Sequence, residues 1–595
     1  MVAFTTRPEI TGTFGVATST HWIASAVGMR MLEAGGTAAD AAVAMGFTLQ
    51  LVEPHLNGFG GDLPVLVHRP DTGKTDVICG QGPAPAGASI ESYRSQGLEI
   101  IPGSGLLATV VPGSFDGWML LLRDYGRLSL RTVLEPALTY AEKGYPLLPR
   151  AAATIAGMAD FFRAAWPGSA AVWLPSDTPP IPGALFRQPA LAATWARILA
   201  EAETKADRAE QIEAARAAFY RGFVAEAIDR FIRTTETIDA NGHTHRGVLT
   251  ADDMAAYRAT IETPLTQSYR GWSVAKTGPW GQGPVLHQAL ALLADDDIAA
   301  VDPSGAPFIH RVTEAMKLAF ADRDAYYGDP DRSEVPLAAL LSPDYTAQRR
   351  RLMTETASQE LRPGVIPGFE RQVGRFLAMA DQIGVADRAV YEPTMAHLAN
   401  RRGDTVHLDV IDQSGMMVSA TPSGGWLQSS PVIPALGFCL NSRAQMFWLS
   451  PGLPSSLAQG ARPRTTLTPT IAHHSDGTSL AFGTPGGDQQ EQWQLSFFLR
   501  HVHHGLDLQA AIDQPLFHTT HFNSSFYPRT RQPGRITVEA SVGEAVLTEL
   551  RAHGHRVDVA EPWTIGRLTA ARRDPDGLMR AAATPRLMQA YAVGR

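Results

Sequence analysis

Two hydrophobic periods divide the chain. Over residues 22–33 and 38–51 apolar side chains recur at helical spacing, with Gly35-Gly36 between the two stretches. The Ala-, Glu- and Arg-rich region over residues 189–233 keeps a period near 3.6 and predicts further helices, and residues 306–324 predict another that stops before Gly328-Asp329-Pro330. Between them Asn57-Gly58-Phe59-Gly60-Gly61-Asp62 reads as a Gly-rich turn leading into the strand-like LPVLVH. Over residues 356–404 the pattern weakens, and Pro363, Gly364, Pro367, Gly368, Arg401, Arg402 and Gly403 predict an exposed connecting segment. After it the period changes to two: TVHLDVID, MMVSAT and SLAFGT alternate as strands do. A helix over residues 488–503 and a strand–helix–strand pattern over 536–559 complete the reading. No solenoid repeat is visible. Layers of helix around strands, assembled from both halves of the chain, are expected.

At 595 residues the chain needs several cores or one large layered domain. A net charge of −8 without a long basic run excludes nucleic acid and an anionic membrane as main partners. No charged-then-apolar leader opens the sequence and no segment has the unbroken apolar length of a membrane span, so the cytoplasm is the expected setting. Cys79 and Cys439 give neither a disulfide framework nor a zinc site. His501, His503, His504, His518 and His521 lack metal-ligand spacing and are expected at a helix end or on the surface; no metal or other cofactor is assigned.

The strand beginning at Thr405 carries the chemistry. It sets Thr405, His407 and Asp409 on a polar face and Val406, Leu408 and Val410 on a face that packs on a core. Gln413-Ser414-Gly415 suits a three-residue hairpin loop, which pairs Asp412 with Met416 and, counted back, Thr405 with Ser423. If the chain breaks between Asp404 and Thr405, the new α-amine has a pKa of roughly 7.7–8.0 and can act as base for the Thr405 hydroxyl. Further on, Gly483-Thr484-Pro485-Gly486-Gly487-Asp488 lies between a strand and a helix. Its glycines leave backbone N–H groups uncovered, suited to a developing oxyanion, and Asp488 with Glu491 reads as a capping box. Trp426, Trp448 and Trp493 either line an acyl pocket or pack in the core.

Gly403-Asp404-Thr405-Val406-His407-Leu408 resembles the processing site of γ-glutamyltranspeptidases. Gly60-Gly61-Asp62, ATVVPGSFDGW at 108–118, GVLTADDMAAYRA at 247–259, ADRDAYYGDP at 321–330 and TPGG at 484–487 follow in family order, so the resemblance covers nearly the whole chain. It implies the α+β, four-layer αββα sandwich of N-terminal-nucleophile hydrolases. It also implies self-cleavage into a large segment, 1–404, and a small one, 405–595, which together form one domain. By the same resemblance Thr405 is nucleophile and base, Ser423 its hydroxyl partner, Gly486 and Gly487 the oxyanion hole, and Thr465 and Thr466 the pair that holds a substrate carboxylate.

Departures from the family pattern shape the substrate expected. The arginine before APAGA reads as Gln81, the acidic residue for a substrate ammonium as Met446, and its Gln and Asn neighbours as Arg443 and Gly425. Arg443 could pair bidentately with a carboxylate or could be a structural arginine; His407 joins the substrate-binding set. Asn441-Ser442-Arg443-Ala444 and GTPGGDQQEQ look closer to the oxamate-amidohydrolase-like branch. The expectation is therefore an amidohydrolase for a small amide bearing a carboxylate and no ammonium: oxamate-like, a dicarboxylic monoamide, or glutaryl-type. The rivals are a γ-glutamyl hydrolase or transpeptidase and an unprocessed, inactive binding protein. A homo-oligomer is left open.

Overall fold

The period-two pattern after residue 404 folds into the expected hairpin. Strands Leu408–Asp412 and Met417–Ala420 pair antiparallel, with Ile411 opposite Met417, across a loop in which Gly415 takes φ 89°. That left-handed conformation favours glycine. The Asp412 carboxylate fixes the turn, accepting from the Ser414 N–H at 2.9 Å, and also accepts from the Ala38 N–H at 2.8 Å. One carboxylate thus ties the hairpin to the start of the helix Ala38–Val52. Carried back along the strands, the register puts Thr405 opposite Ser423 in an isolated bridge.

Residues 4–386 and 405–595 are described by the structure, a computed structural model. Among them two seven-stranded antiparallel sheets dominate. The first runs in the order Tyr591–Gly594, Gly15–Ser19, Leu408–Asp412, Met417–Ala420, Leu63–Arg69, Lys74–Gly80, Thr260–Glu262. The second runs Ile10–Gly12, Met579–Ala583, Thr569–Arg573, Ser479–Gly483, Thr470–His474, Trp272–Lys276, Leu265–Tyr269. Each sheet takes strands from before residue 386 and from after residue 405, as expected of a fold built from both halves.

Period-two strands buried on both sides need two apolar neighbours, and both are present. Val406, Leu408 and Val410 join a core with Ala41, Met45 and Phe47 of the flanking helix. Ile411 and Met417 meet Ile471, Ala481 and Ala571 of the other sheet. Beyond that sheet, Val274, Leu480 and Phe482 pack with Leu286, Phe497 and Phe498. Burying each Val, Leu, Ile, Met or Phe among them contributes about 1.5–3 kcal/mol. The face carrying Thr405, His407 and Asp409 is polar as expected, but all three residues are buried. No helix among the described residues is long and apolar enough to cross a membrane.

Two expectations need correction here. The region over residues 356–404 is not a connecting segment throughout, because Glu370–Ile383 forms a helix that buries Val373, Phe376, Met379 and Ala380. Those positions hold helical spacing, and the Pro- and Gly-rich run lies before them. Gly403 and Asp404 fall outside the described residues. His501, His503 and His504 do end the helix Gln490–His504, but His518 and His521 are buried rather than on the surface. His521 Nδ1 accepts from the Gly534 N–H at 2.9 Å and its Nε2 donates to the Glu360 carbonyl at 2.9 Å, so backbone groups satisfy it.

Candidate functional site

The hydroxyls of Thr405 and Ser423 lie 3.2 Å apart and both residues are buried. Backbone holds them there. Val406 N–H donates to the Pro422 carbonyl at 3.2 Å, Ser423 N–H to the Asp62 carbonyl at 3.1 Å, and Asp62 N–H to the Ser423 carbonyl at 2.9 Å. The chain before Asp62 must come close to do this. A Cβ on Gly61 would stand 2.0 Å from the Ser423 carbonyl, and one on Gly58 2.0 Å from that of Gly425. Gly58-Phe59-Gly60-Gly61 is therefore a backbone-to-backbone seam beside the Ser423 turn, closed to any side chain.

Asp62 also explains Arg443. Its two carboxylate oxygens accept from Arg443 Nε at 3.0 and 3.1 Å, and Arg443 lies over the Trp426 ring at 5.0 Å. Burial pushes the Asp62 carboxyl above its usual range, opposed by the Arg443 charge and the Thr465 hydroxyl. The cation at residue 443 is thus matched by an anion from the protein itself. Thr465 shares this cluster. Thr466 is buried beside it, and its hydroxyl has no partner among the described residues. Gln81 donates to the carbonyl of Pro463, two residues before Thr465, and Met446 closes the buried turn Arg443–Met446.

Behind Thr405 a polar network fills the space between the sheets. His407 bonds the Thr421 hydroxyl at 2.8 Å and Asp409 at 3.0 Å, and Asp409 accepts from Ser419 at 2.7 Å and Thr569 at 2.8 Å. His407 is therefore fully used by its neighbours. A Cβ on Gly483 would meet its ring at 2.2 Å, so the strand Ser479–Gly483 ends against it and turns into Thr484-Pro485-Gly486-Gly487. Gly486 takes φ 126° and Gly487 φ 56°.

The expected capping box is absent. Gly486 is the N-cap of the short turn Gly487–Gln489, which makes no side-chain cap bond. Asp488 is instead charge-paired with Arg323 and accepts from Ser525 N–H at 2.8 Å. Glu491 meets Lys276 Nζ at 3.1 Å and the Thr468 hydroxyl at 2.5 Å. Buried cations compete for these carboxylates more strongly than a backbone N–H does.

Three further groups, Arg567, Arg150 and Glu53, join the site with no local signal in the sequence. Arg567 donates from Nη2 to the Thr405 carbonyl at 3.2 Å, and its backbone N–H donates to the Thr484 hydroxyl at 3.2 Å. It thus links the strand that follows Thr405 to the glycine turn. A small cleft opens beside it, lined by Gly486, Trp493, His518, Arg150 and Arg567 among others. Of the three tryptophans singled out, only Trp493 lines this cleft; Trp448 stacks under Arg529 and Trp426 under Arg443.

Glu53 is the third group, buried and accepting from the Thr20 hydroxyl. Burial raises its pKa from 4.5 to about 7, against the pull of Arg567, Thr20, Arg150 and Gln589. A carboxyl shifted upward on folding favours the folded state at low pH and loses that advantage as pH rises from about 4.5 to 7. Glu53→Gln is accordingly expected to leave the Tm unchanged at pH 5. At pH 8 it should raise stability by up to ~3 kcal/mol. Calorimetric melts at the two values decide, and a lower Tm than the parent at pH 8 would refute the assignment.

Away from this site, His310, Glu314 and His555 bring ligand atoms within 4.8 Å of one another. Glu314 is already held by Lys317 at 2.6 Å, and His310 pairs with His555 at 2.9 Å.

The γ-glutamyltranspeptidase family model matches residues 24–594. The oxamate amidohydrolase proenzyme of Klebsiella pneumoniae subsp. pneumoniae is 32% identical over 587 residues, covering 96% of this chain and 97% of its own. Among solved structures, LmbA2991T421A is 50% identical with a TM-score of 0.93 over 100% of both chains. The cephalosporin acylase from Bacillus halodurans is 27% identical with a TM-score of 0.82, covering 100% of this chain and 98% of that one.

Proposed function

The chain belongs to the γ-glutamyltranspeptidase family, and from that premise we propose that it is a self-cleaving amidohydrolase with Thr405 as nucleophile. The two facing sheets with helices outside them are read as the αββα sandwich of N-terminal-nucleophile hydrolases, cut into 1–404 and 405–595. The carrying observation is the bridge between Thr405 and Ser423, hydroxyl to hydroxyl at 3.2 Å, at the first residue of a strand.

Processing starts when Thr405 Oγ adds to the Asp404 carbonyl. The peptide C–N bond breaks to leave an ester and a free Thr405 α-amine, and water then hydrolyses the ester. In turnover that amine accepts the Thr405 hydroxyl proton while Oγ attacks the substrate amide. Ser423 holds Oγ in line, and N–H groups of Gly486 and Gly487 receive the oxyanion. The C–N bond breaks, the amine departs with the proton, and water releases the acid from the acyl-threonine. Substrates of this class are small amides with a carboxylate. Arg443, held by Asp62, stands with Thr465, Thr466, Gln81 and Met446 in the proposed acyl wall, and the position where the family pattern has an acidic residue for a substrate ammonium is Met446.

Intact mass and two chromogenic anilides test this reading. A fragment beginning at Thr405 and faster turnover of the glutaryl than of the γ-glutamyl anilide are expected. Faster γ-glutamyl turnover would make the chain a γ-glutamyl hydrolase or transpeptidase. An uncut, inactive chain after long incubation would make it a binding protein.

A further inference from the structure

We propose that the Thr484 hydroxyl and the Gln282 side-chain amide are the positioning groups of the glycine turn. They hold it by its carbonyls, so that the N–H groups of Gly486 and Gly487 stay aimed at the oxyanion. This rests on the amidohydrolase reading above and adds to it two residues outside the set named there.

The turn needs such anchors. Gly486 takes φ 126° and Gly487 φ 56°, left-handed conformations that favour glycine. A side chain is excluded at Gly486 as well, since a Cβ there would stand 2.3 Å from the Trp493 ring. Glycine has the widest backbone freedom of any residue, so two in succession leave their peptide planes free to swing. An oxyanion site, however, works through donors that are set before the charge develops. Their orientation must come from neighbours.

The neighbours grip carbonyls. A peptide is planar and trans, so fixing its C=O also fixes the N–H on its opposite edge. The Gly486 N–H shares a peptide with the Pro485 carbonyl, and that carbonyl accepts from Thr484 Oγ1 at 2.9 Å. The same hydroxyl oxygen accepts from the Arg567 N–H at 3.2 Å, which leaves its hydrogen for Pro485. The Gly487 N–H shares a peptide with the Gly486 carbonyl, which accepts from the Gln489 N–H at 3.0 Å. At the exit of the turn the Gly487 carbonyl accepts from Gln282 Nε2 at 3.1 Å.

Gln282 is itself held. Its Oε1 accepts from Arg323 Nη1 at 3.0 Å, which settles the end of the amide that faces the turn. Arg323 is also charge-paired with Asp488, the residue after Gly487. A closed ring thus runs from Gly487 through Gln282 and Arg323 back to Asp488. Thr484, Gln282 and Arg323 are all buried, where such bonds are stronger than in water.

The experiment uses the purified full-length protein, with intact mass giving the cut fraction to which rates are referred. On whichever of the two anilides the parent turns over faster, Thr484→Val should lower kcat by about 10- to 100-fold with KM within about two-fold of the parent. Thr484→Ser keeps the hydroxyl and should restore kcat to within about three-fold. Gln282→Leu should lower kcat by about ten-fold, again with little change in KM. Amide hydrogen exchange over residues 484–490, read by mass spectrometry, is a second readout that does not depend on turnover. Exchange should be faster in Thr484→Val and Gln282→Leu and at the parent rate in Thr484→Ser. Unchanged exchange in the first two, kcat within about two-fold of the parent in both, or equal losses in the valine and serine variants would overturn the proposal. If Thr484→Val fails to fold, Gln282→Leu carries both readouts. A parent chain that is never cut and never turns over would defeat the amidohydrolase reading, and exchange alone then decides the anchoring: faster in the variants supports it, unchanged refutes it.

Discussion

Thr405→Ala is expected to give a folded chain of full length that is never cut and hydrolyses acyl anilides at least ~10⁴-fold more slowly than the parent. The fold should survive because the change removes only one methyl group and one hydroxyl, whose described partner is another hydroxyl at 3.2 Å. A hydrogen bond of that kind contributes about 1 kcal/mol net. The chemistry should not survive. Without Oγ no acyl ester forms, and without cleavage residue 405 has no α-amine to accept a proton. Intact mass followed over days, beside initial rates, is the measurement. A fragment starting at residue 405 in this variant would remove Thr405 from its role. Thr405→Ser, which keeps the oxygen, should restore cutting at a reduced rate.

The second large effect concerns stability. Asp62→Ala leaves the buried Arg443 guanidinium without its carboxylate, and removing one partner of a buried pair costs about 3–5 kcal/mol. For a chain of 595 residues, at about 2.1 cal/mol/K per residue, that corresponds to a fall in Tm of roughly 2–4 °C. Adding Arg443→Met removes the buried cation as well, and much of the loss should return, because two neutral side chains then stand where the pair stood. Equal Tm values for the single and double variants would mean that Asp62 acts through the Ser423 turn and not through Arg443. Activity of the double variant is informative too. Cleavage with a raised KM for carboxylate anilides would return Arg443 to the substrate, and an unchanged KM would leave it structural.

How much of this was legible in the residues varies with range. The hairpin was, because Gly415 fixes a short loop and a period of two carries the register seven residues back to Thr405 and Ser423 without a slip. The family motif added the glycine turn. Asp488 and Glu491 misled, since a capping box is a local rule and their partners Arg323 and Lys276 lie far away in sequence. The helix Glu370–Ile383 was hidden by the prolines and glycines in front of it. Arg567 and Glu53 carry no pattern of their own, because one meets Thr405 across 162 residues and the other is defined by burial. Asp62 sat inside a quoted motif, yet its pairing with Arg443 depends on a seam that only the folded backbone makes.

The alternation of strands within each sheet has a kinetic consequence. In the first sheet the strand after Thr405 is flanked by Gly15–Ser19 on one side and leads through its hairpin to Leu63–Arg69 on the other. Once the bond before Thr405 is cut as proposed, the two polypeptides remain woven through both sheets, and neither can leave without breaking ladders on each. Unfolding, however, releases two separate molecules. Refolding then requires a bimolecular encounter, where the uncut chain needed only to close a loop. The same cut that liberates the amine therefore makes the mature fold easier to lose than to regain, and its persistence becomes a matter of barrier height more than of equilibrium.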